Sequence, residues 1–382
     1  MQAVWAGHPW VYAQAIERVD GGASRGDEVK VVDPRGNFIG RGFYSPGSAI
    51  PVRLLVRDEK TRIDEALFRT RIERAFRFRK EIGLGTDTTG FRVVHAEGDG
   101  LPGLIIDRFN DTLVVQFLTF GMKIREGQIL ESLRAVFRPR TILDRTPENI
   151  AKLEGFSATR GVVRGEEIDA MRFQERNLLF EIPMEMGQKT GFYFDQRPLR
   201  ARVEDLSKGK RVLDGYSFVG AFGMSAARGG AREVISVDES ALALEVAADG
   251  AARNGLADRM QFVCADARTT MQNAHGSFDL TIVDPPRLAP KRSAKDAALM
   301  LYSKLAELGC RATKPGGDVI LCSCSSAVDF NALTRALANG AQKANMSATI
   351  WERHFQGPDH PVNAAFPEGL YLKALIARVD TR

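Results

Sequence analysis

The chain has 382 residues, 44% of them hydrophobic and 26% charged, and carries a net charge of +5. That length is too great for one compact core and calls for two or three domains, while the composition is that of an ordinary soluble globular protein. No apolar run approaches the roughly 18 residues of a membrane span, and Met1 to Trp10 contains no signal-peptide core, so a cytoplasmic location with no membrane partner is expected. All four cysteines lie between Cys264 and Cys324 with no histidine at zinc-ligand spacing, which points to reduced thiols and no metal site.

Residues 1–68 read as a small all-β domain. Short apolar runs such as Val29-Lys30-Val31-Val32 and Val52-Arg53-Leu54-Leu55-Val56 are separated by turn signals, among them Asp33-Pro34-Arg35-Gly36-Asn37 and Tyr44-Ser45-Pro46-Gly47. A helix follows over Arg69 to Lys80, with Phe68, Ile72, Ala75 and Phe76 at helical spacing on one face and arginines on the other. Residues 69–186 otherwise mix strands (Phe91 to His95, Leu104 to Asp107, Thr112 to Leu118) with one helix (Arg125 to Phe137), an α+β middle domain. From residue 187 to 382 the rhythm changes. Buried-looking strands at Arg211–Asp214, Val234–Asp238, Gln261–Asp266, Leu280–Asp284 and Val319–Cys322 alternate with alanine-rich helical segments such as Ala241 to Asn254. This is the pattern of an α/β domain built on a doubly wound, mostly parallel Rossmann-like sheet.

Ligands of such sheets bind beyond the carboxyl ends of the strands. Four of the expected strands end in aspartate. After Asp214 come Gly215, Tyr216, Ser217 and Gly220, a turn whose glycines let backbone approach a ligand at a helix start. Asp238, 24 residues further on, is placed to accept hydrogen bonds from ribose hydroxyls. Asp266, with Ala267 beside it, could receive an adenine amino group.

The catalytic reading rests on Leu321-Cys322-Ser323-Cys324-Ser325 and Asp284-Pro285-Pro286-Arg287, each at the end of an apolar run. A thiolate adding to C6 of a pyrimidine makes C5 able to take a methyl group from a sulfonium donor. Cys324, at the strand end, is preferred as the nucleophile over Cys322, which lies two residues deeper on the same face. The prolines shape a rigid turn. Arg287 takes the place where an aromatic residue would stack an amine-bearing base, and it suits phosphate or base-edge contacts better.

Several segments carry a family resemblance: His8-Pro9-Trp10-Val11-Tyr12, Val94-His95-Ala96-Glu97-Gly98-Asp99-Gly100-Leu101-Pro102-Gly103, Gly187-Gln188-Lys189-Thr190-Gly191-Phe192-Tyr193-Phe194-Asp195-Gln196-Arg197, and Asp359-His360-Pro361-Val362 with Pro367-Glu368-Gly369-Leu370-Tyr371-Leu372-Lys373. With the Ser-Cys-Ser segment, the chain resembles the bacterial large-subunit ribosomal RNA cytosine-C5 methyltransferases that carry an N-terminal PUA domain. The resemblance implies S-adenosyl-L-methionine as donor, Cys324 as nucleophile with Asp284 beside it in catalysis, and large-subunit ribosomal RNA as partner, with a homodimer as a further assembly. The cofactor set it suggests is Lys189, Tyr193, Asp214, Tyr216, Ser217, Gly220, Asp238, Asp266, Ala267, Asp284 and Pro285. RNA phosphates are assigned to Arg71, Arg74, Arg77, Arg79 and Arg287. His95 and Asp107 are read as structural; His360 and Glu368 could line the base pocket. Two other readings stay open: a base-amine or guanine methyltransferase on the same scaffold, and a non-catalytic RNA-binding assembly factor.

Overall fold

A computed structural model describes residues 2–186, 190–289 and 294–382. The chain divides into two compact units, one formed by Met1–Phe194 with Pro358–Gly369, the other by Asp195–Gly357 with Leu370–Arg382.

The first unit opens with a four-stranded antiparallel sheet in the order Trp10–Val11, Val52–Val56, Phe38–Tyr44, Glu28–Val32. Its middle turn is set by Asp33, whose carboxylate accepts the backbone N–H groups of Arg35 and Asn37. Val4, Val11, Ile39, Val52 and Leu54 make its small core. Next comes a five-stranded sheet of Gly90–His95, Leu104–Phe109, Thr112–Phe117, Thr141–Asp144 and Gly161–Gly165 in chain order; only the third and fourth strands pair in parallel. Helix Glu65–Glu81 starts where the Asp64 carboxylate caps the Leu67 N–H, and it buries Phe68, Ile72 and Ala75. Together with Glu126–Phe137 it closes a core that includes Phe91, Leu104, Ile106 and Leu113. A hairpin, Ala170–Glu175 with Leu178–Pro183, turns through Arg176 and Asn177, both left-handed at φ 50° and 64° as a two-residue hairpin turn requires.

Helix Glu65–Glu81 corrects one expectation. Positions 68, 72, 75 and 79 share a face, so Arg79 lies on the apolar stripe and is wholly buried. Its guanidinium forks onto the Asp99 carboxylate at 2.6 and 2.8 Å and donates to the Asp359 and Arg92 carbonyls. Arg79 is therefore a core residue with no donor to offer a phosphate. Asp359 in turn accepts the Arg92 N–H, and His360 packs 5.0 Å from His95. Glu368 reaches His8 at 3.3 Å. These contacts tie 358–369 to the first unit: Asp359, His360 and Phe366 are buried in it, and Glu368 is exposed on its surface. Asp107, fully buried and paired with Arg92 at 2.7 Å, likewise supports the fold.

The second unit is a seven-stranded sheet. Its strands are numbered here β1 (Arg211–Gly215), β2 (Glu233–Asp238), β3 (Met260–Cys264), β4 (Phe278–Val283), β5 (Thr313–Ser323), β6 (Met346–Phe355) and β7 (Lys373–Thr381). They lie in the order β3-β2-β1-β4-β5-β7-β6, parallel except for β7, which runs antiparallel to both of its neighbours. The helices between strands include α1 (Arg197–Leu206), α2 (Ala221–Arg228), α3 (Ala241–Arg253), α4 (Ala267–Ala274), α5 (Lys295–Ala312) and α6 (Phe330–Lys343). Small residues let α5 and α6 approach closely: a Cβ on Gly340 would fall 2.5 Å from the Ala306 Cβ. The strand order reverses between β1 and β4, and the crevice beyond their carboxyl ends is where such sheets bind ligands.

Removing Arg79 strands the Asp99 carboxylate in the core. Arg79→Met should lower stability by about 3–5 kcal/mol, the usual cost of breaking one side of a buried ion pair. Arg74→Ala, at an exposed position of the same helix, should stay within about 0.5 kcal/mol. Urea unfolding of the two variants checks the contrast.

Candidate active site

At the end of β1 the backbone makes a strained turn. Tyr216, Phe218 and Gly220 all adopt left-handed conformations, at φ 64°, 49° and 70°. Non-glycine residues held this way mark places where the surrounding structure over-determines the backbone, as at ligand sites. Three hydrogen bonds hold the turn: Ser217 N–H to the Val237 carbonyl (2.9 Å), Phe218 N–H to Asp238 Oδ2 (2.9 Å) and Gly220 N–H to the Ser217 carbonyl (2.8 Å). Helix α2 begins directly after it. Gly223 N–H donates to Asp214 Oδ2 at 2.9 Å, and a Cβ there would lie 2.5 Å from Ser236 Oγ, so only glycine fits.

Asp214 is almost wholly buried. Burial, with the carboxylates of Asp284 and Asp238 adding to it, pushes its pKa up to about 7. Asp214 Oδ1 and Ser217 Oγ are buried and have no hydrogen-bond partner among the described residues. Orphaned buried polar atoms of this kind ask for a partner that the chain itself does not supply. Asp238, at the end of β2, accepts one backbone N–H on each oxygen, from Phe218 and Ser240, and keeps a lone pair on each for a ligand. Three carboxylates around one turn, two of them with acceptor capacity to spare, fit a ligand bringing hydroxyl donors and positive charge.

Asp266 is used differently from the expectation. It lies two residues past β3 as the N-cap of α4, where Oδ1 takes the Arg268 N–H at 2.7 Å and the Arg268 guanidinium grips the carboxylate at 2.6 Å. That hydrogen bond to Arg268 also lowers its pKa. An adenine amino group would have to displace Arg268 to be received there. Ala267 is buried at the start of α4, in ordinary contact distance of Gly215, and Tyr216 is held neutral by burial and by Asp266, its phenol pushed up to about 12. Tyr193 is half-buried and belongs to the first unit; Lys189 lies outside the described residues.

The catalytic candidates sit at the ends of two adjacent strands. β4 stops at Val283, paired with Leu321 of β5. Asp284 follows, its Oδ2 accepting Gln196 Nε2–H at 3.0 Å, and then Pro285, buried. β5 stops at Ser323, one residue before Cys324. Cys324 is half-buried between two serines that are fully buried. Cys322 is itself fully buried, and burial, with Asp284 adding to it, raises its thiol well above the ordinary value. It remains a neutral thiol.

Ser325 ties this edge together. Its Oγ accepts the Ala289 N–H at 3.1 Å, so the loop after Asp284-Pro285-Pro286 is bound to the loop carrying Cys324. The Tyr302 hydroxyl on α5 lies 3.4 Å from the same Oγ. Its carbonyl accepts both the Val328 N–H (3.1 Å) and the ammonium of Lys373 (2.9 Å). Arg287 is exposed and donates to Ser326 Oγ at 3.4 Å. Gln196, Ser325 and Lys373 fall within motifs quoted from the sequence but with no role read for them, and Tyr302 is not singled out there. Lys373 leaves a further signal, a lone cation at the head of the apolar run Ala374-Leu375-Ile376-Ala377.

All four cysteines are free thiols, no metal-binding cluster occurs among the described residues, and no described helix is long and apolar enough to cross a membrane. A sheet in this order, with a strained glycine turn after β1 and an acid ending β2, defines a class I methyltransferase domain. Residues 155–378 match the family model described as S-adenosylmethionine-dependent methyltransferase, and residues 2–57 match that of the PUA-like domain. The ribosomal RNA large subunit methyltransferase I of Shewanella denitrificans is 37% identical over 379 residues, covering 97% of this chain and 95% of the relative. That of Pseudoalteromonas translucida is 35% identical over 377 residues with the same coverage. The fold is shared with SMU.776, solved as a complex with SAH, at a TM-score of 0.85 and 20% identity over 98% of this chain and 97% of that one. The chain belongs to the S-adenosylmethionine-dependent methyltransferases that carry a PUA-like domain, and S-adenosylmethionine is its methyl donor.

The raised Asp214 has a measurable consequence for the ligand-free protein. Its neutral form is favoured in the fold, so its carboxyl costs nothing below about pH 4, and the penalty grows as pH rises from there to about 7. Three units correspond to at most about 4 kcal/mol. Asp214→Asn should remove this component. Compared with wild type, the variant should gain in urea midpoint on going from pH 5 to pH 8; an equal difference at both values would refute the assignment.

Proposed function

We propose that the protein methylates C5 of a cytosine in large-subunit ribosomal RNA through a covalent bond from Cys324 Sγ to C6 of the base. The observation that carries this reading is the placement of Cys324: a half-buried thiol immediately beyond β5, next to the strand end that bears Asp284. Large-subunit ribosomal RNA as the target is supported by the names of the relatives that match nearly the whole chain.

S-adenosylmethionine, when bound, supplies a methyl group activated by a sulfonium. Asp214, Ser217, Gly220 and Asp238 would hold it, with Tyr216 and Ala267 bordering them. Cys324 acts as thiolate. It adds to C6, and the C5=C6 electron pair shifts to C5, which becomes the nucleophile that accepts the methyl group. Loss of the C5 proton to a base returns the electrons and expels Cys324 as thiolate. Asp284, fixed by Gln196, is the acceptor that orients the base. The neutral thiol of Cys322 packs beneath. An amine-methylating reading needs no cysteine and is less well served by Arg287 at the position after the prolines.

RNA phosphates are assigned to Arg74 and Arg77, exposed on helix Glu65–Glu81, and to Arg287. Arg71 is half-buried and donates to the Gly100 carbonyl; burial brings it down to about 10, so it stays charged at neutral pH. Replacing Arg74 and Arg77 by alanine should flatten the dependence of log affinity on log salt by about one to two, read by RNA binding at several salt concentrations.

Cys324→Ala should abolish methyl transfer while leaving S-adenosylmethionine affinity, measured by calorimetry, near wild type. Cys322→Ala should keep most activity. RNA with 5-fluorocytosine at the target should trap a covalent complex with wild type, since fluorine cannot leave as a proton. Activity in Cys324→Ala, or a trap that survives the substitution, would overturn the covalent mechanism.

A further inference from the structure

Lys373 is a charged residue in an unusual place. It opens β7, pairs directly with Ser323 at the end of β5, and is only 3% exposed. Its ammonium donates at 2.9 Å to the carbonyl of Ser325, the residue that follows Cys324. A buried lysine normally finds a carboxylate. Among the described residues this one forms no ion pair. A carbonyl neutralises nothing; the negative charges that act on this ammonium are those of Cys324 and, after it, Asp329.

The charged and titratable groups around Cys324 come from four directions. Asp284 lies beyond β4, Cys322 lies within β5, Tyr302 projects from α5, and Asp329 caps α6 while engaging Lys295 at 3.6 Å. Arg287 is drawn to Ser326 at the exposed rim. Cys322 and Tyr302 are both neutral near pH 7, because burial raises each. Asp284 opposes a thiolate. The buried cation at this edge is Lys373.

We propose that Lys373 is a positioning residue whose ammonium, held by the Ser325 carbonyl, stabilises Cys324 as the thiolate. This rests on the reading of Cys324 as the nucleophile. The lysine transfers no proton and touches no substrate. It offsets the like charge of Asp284 and makes the thiolate available before RNA arrives. Burial lowers Lys373 to about 8, and the charges of Cys324 and then Asp329 act in the opposite sense to keep it protonated, as expected of coupled groups.

The test uses the full chain without RNA. Iodoacetamide alkylation of the Cys324 peptide is followed by mass spectrometry across pH 5 to 10, which separates it from the other three cysteines. In wild type the alkylation midpoint should fall at least one unit below the roughly 8.5 of a free cysteine. Lys373→Met should raise it by one unit or more, and Lys373→Arg should restore it, in variants whose thermal melts show a folded protein. A wild-type midpoint at or above 8.5 overturns the proposal without any variant, as does an unmoved midpoint in Lys373→Met. A low midpoint that depends on Lys373, without a covalent trap on 5-fluorocytosine RNA, would leave the thiolate pair standing and remove the cytosine-C5 reading instead. A trap with an unshifted midpoint would do the reverse.

Discussion

The second unit depends on one serine. Ser325 offers a hydroxyl and a carbonyl, and between them they receive the Ala289 N–H, the Val328 N–H and the Lys373 ammonium, with the Tyr302 hydroxyl close by. Each donor is buried or nearly so, and a buried donor left without an acceptor costs about 1–3 kcal/mol. The loops at the ends of β4 and β5 therefore cannot shift independently. A methyl-transfer site needs its donor and its acceptor held to fractions of an ångström. Here that precision is delivered by hydrogen bonds converging on the hydroxyl and the backbone carbonyl of one residue that takes no part in the chemistry.

A comparable knot sits in the first unit. Arg79, Asp99, Arg92, Asp107 and Asp359 interlock in a buried network, with His95 and His360 packed against it. Burial holds His95 well below its ordinary pKa, with His360 and the arginines adding to the effect, so it is uncharged at neutral pH. The network is satisfied internally, which is what allows so many polar groups in a core. It also explains why the sequence motif Val94 to Gly103 is so rich in acidic residues and glycines: they build an ion-pair socket, with Gly98 leaving room for the Pro361 carbonyl.

Much of the catalytic sheet is legible in the sequence because β1, β2 and β4 are short apolar runs buried on both faces and bracketed by glycine and aspartate. β6 and β7 are not. β6 lies at the sheet edge with alternating half-exposed and exposed side chains, so its run of mixed polarity has no buried signature. Asp266 shows the limit of reading an acid at a strand end. Its position was inferable, but its commitment to Arg268 depends on a helix cap formed two residues beyond the strand. Arg79 was readable: the stripe of 68, 72, 75 and 79 contains it, and only the habit of placing arginine on the wet face concealed that. Lys373 is visible as a lone cation before an apolar run, but its role is not readable, because that lies in a pairing with Ser323 across 50 residues of sequence.

The chain passes between its two units three times, at residues 194/195, 357/358 and 369/370. This fixes an order of events at the ribosome, where the N-terminal end emerges first. The first unit cannot finish folding when its first 194 residues have emerged, because the Asp359 that accepts from Arg92 and Arg79, and the Phe366 ring 4.6 Å from Trp10, follow only after residues 195–357 of the second unit. Lys373 and strand β7, which covers the edge of β5, arrive later still. Until then the arginine socket lacks its plug and β5 has an open edge. A nascent chain therefore leaves both units incomplete until these segments emerge, and a truncation before Asp359 denies closure to each of them.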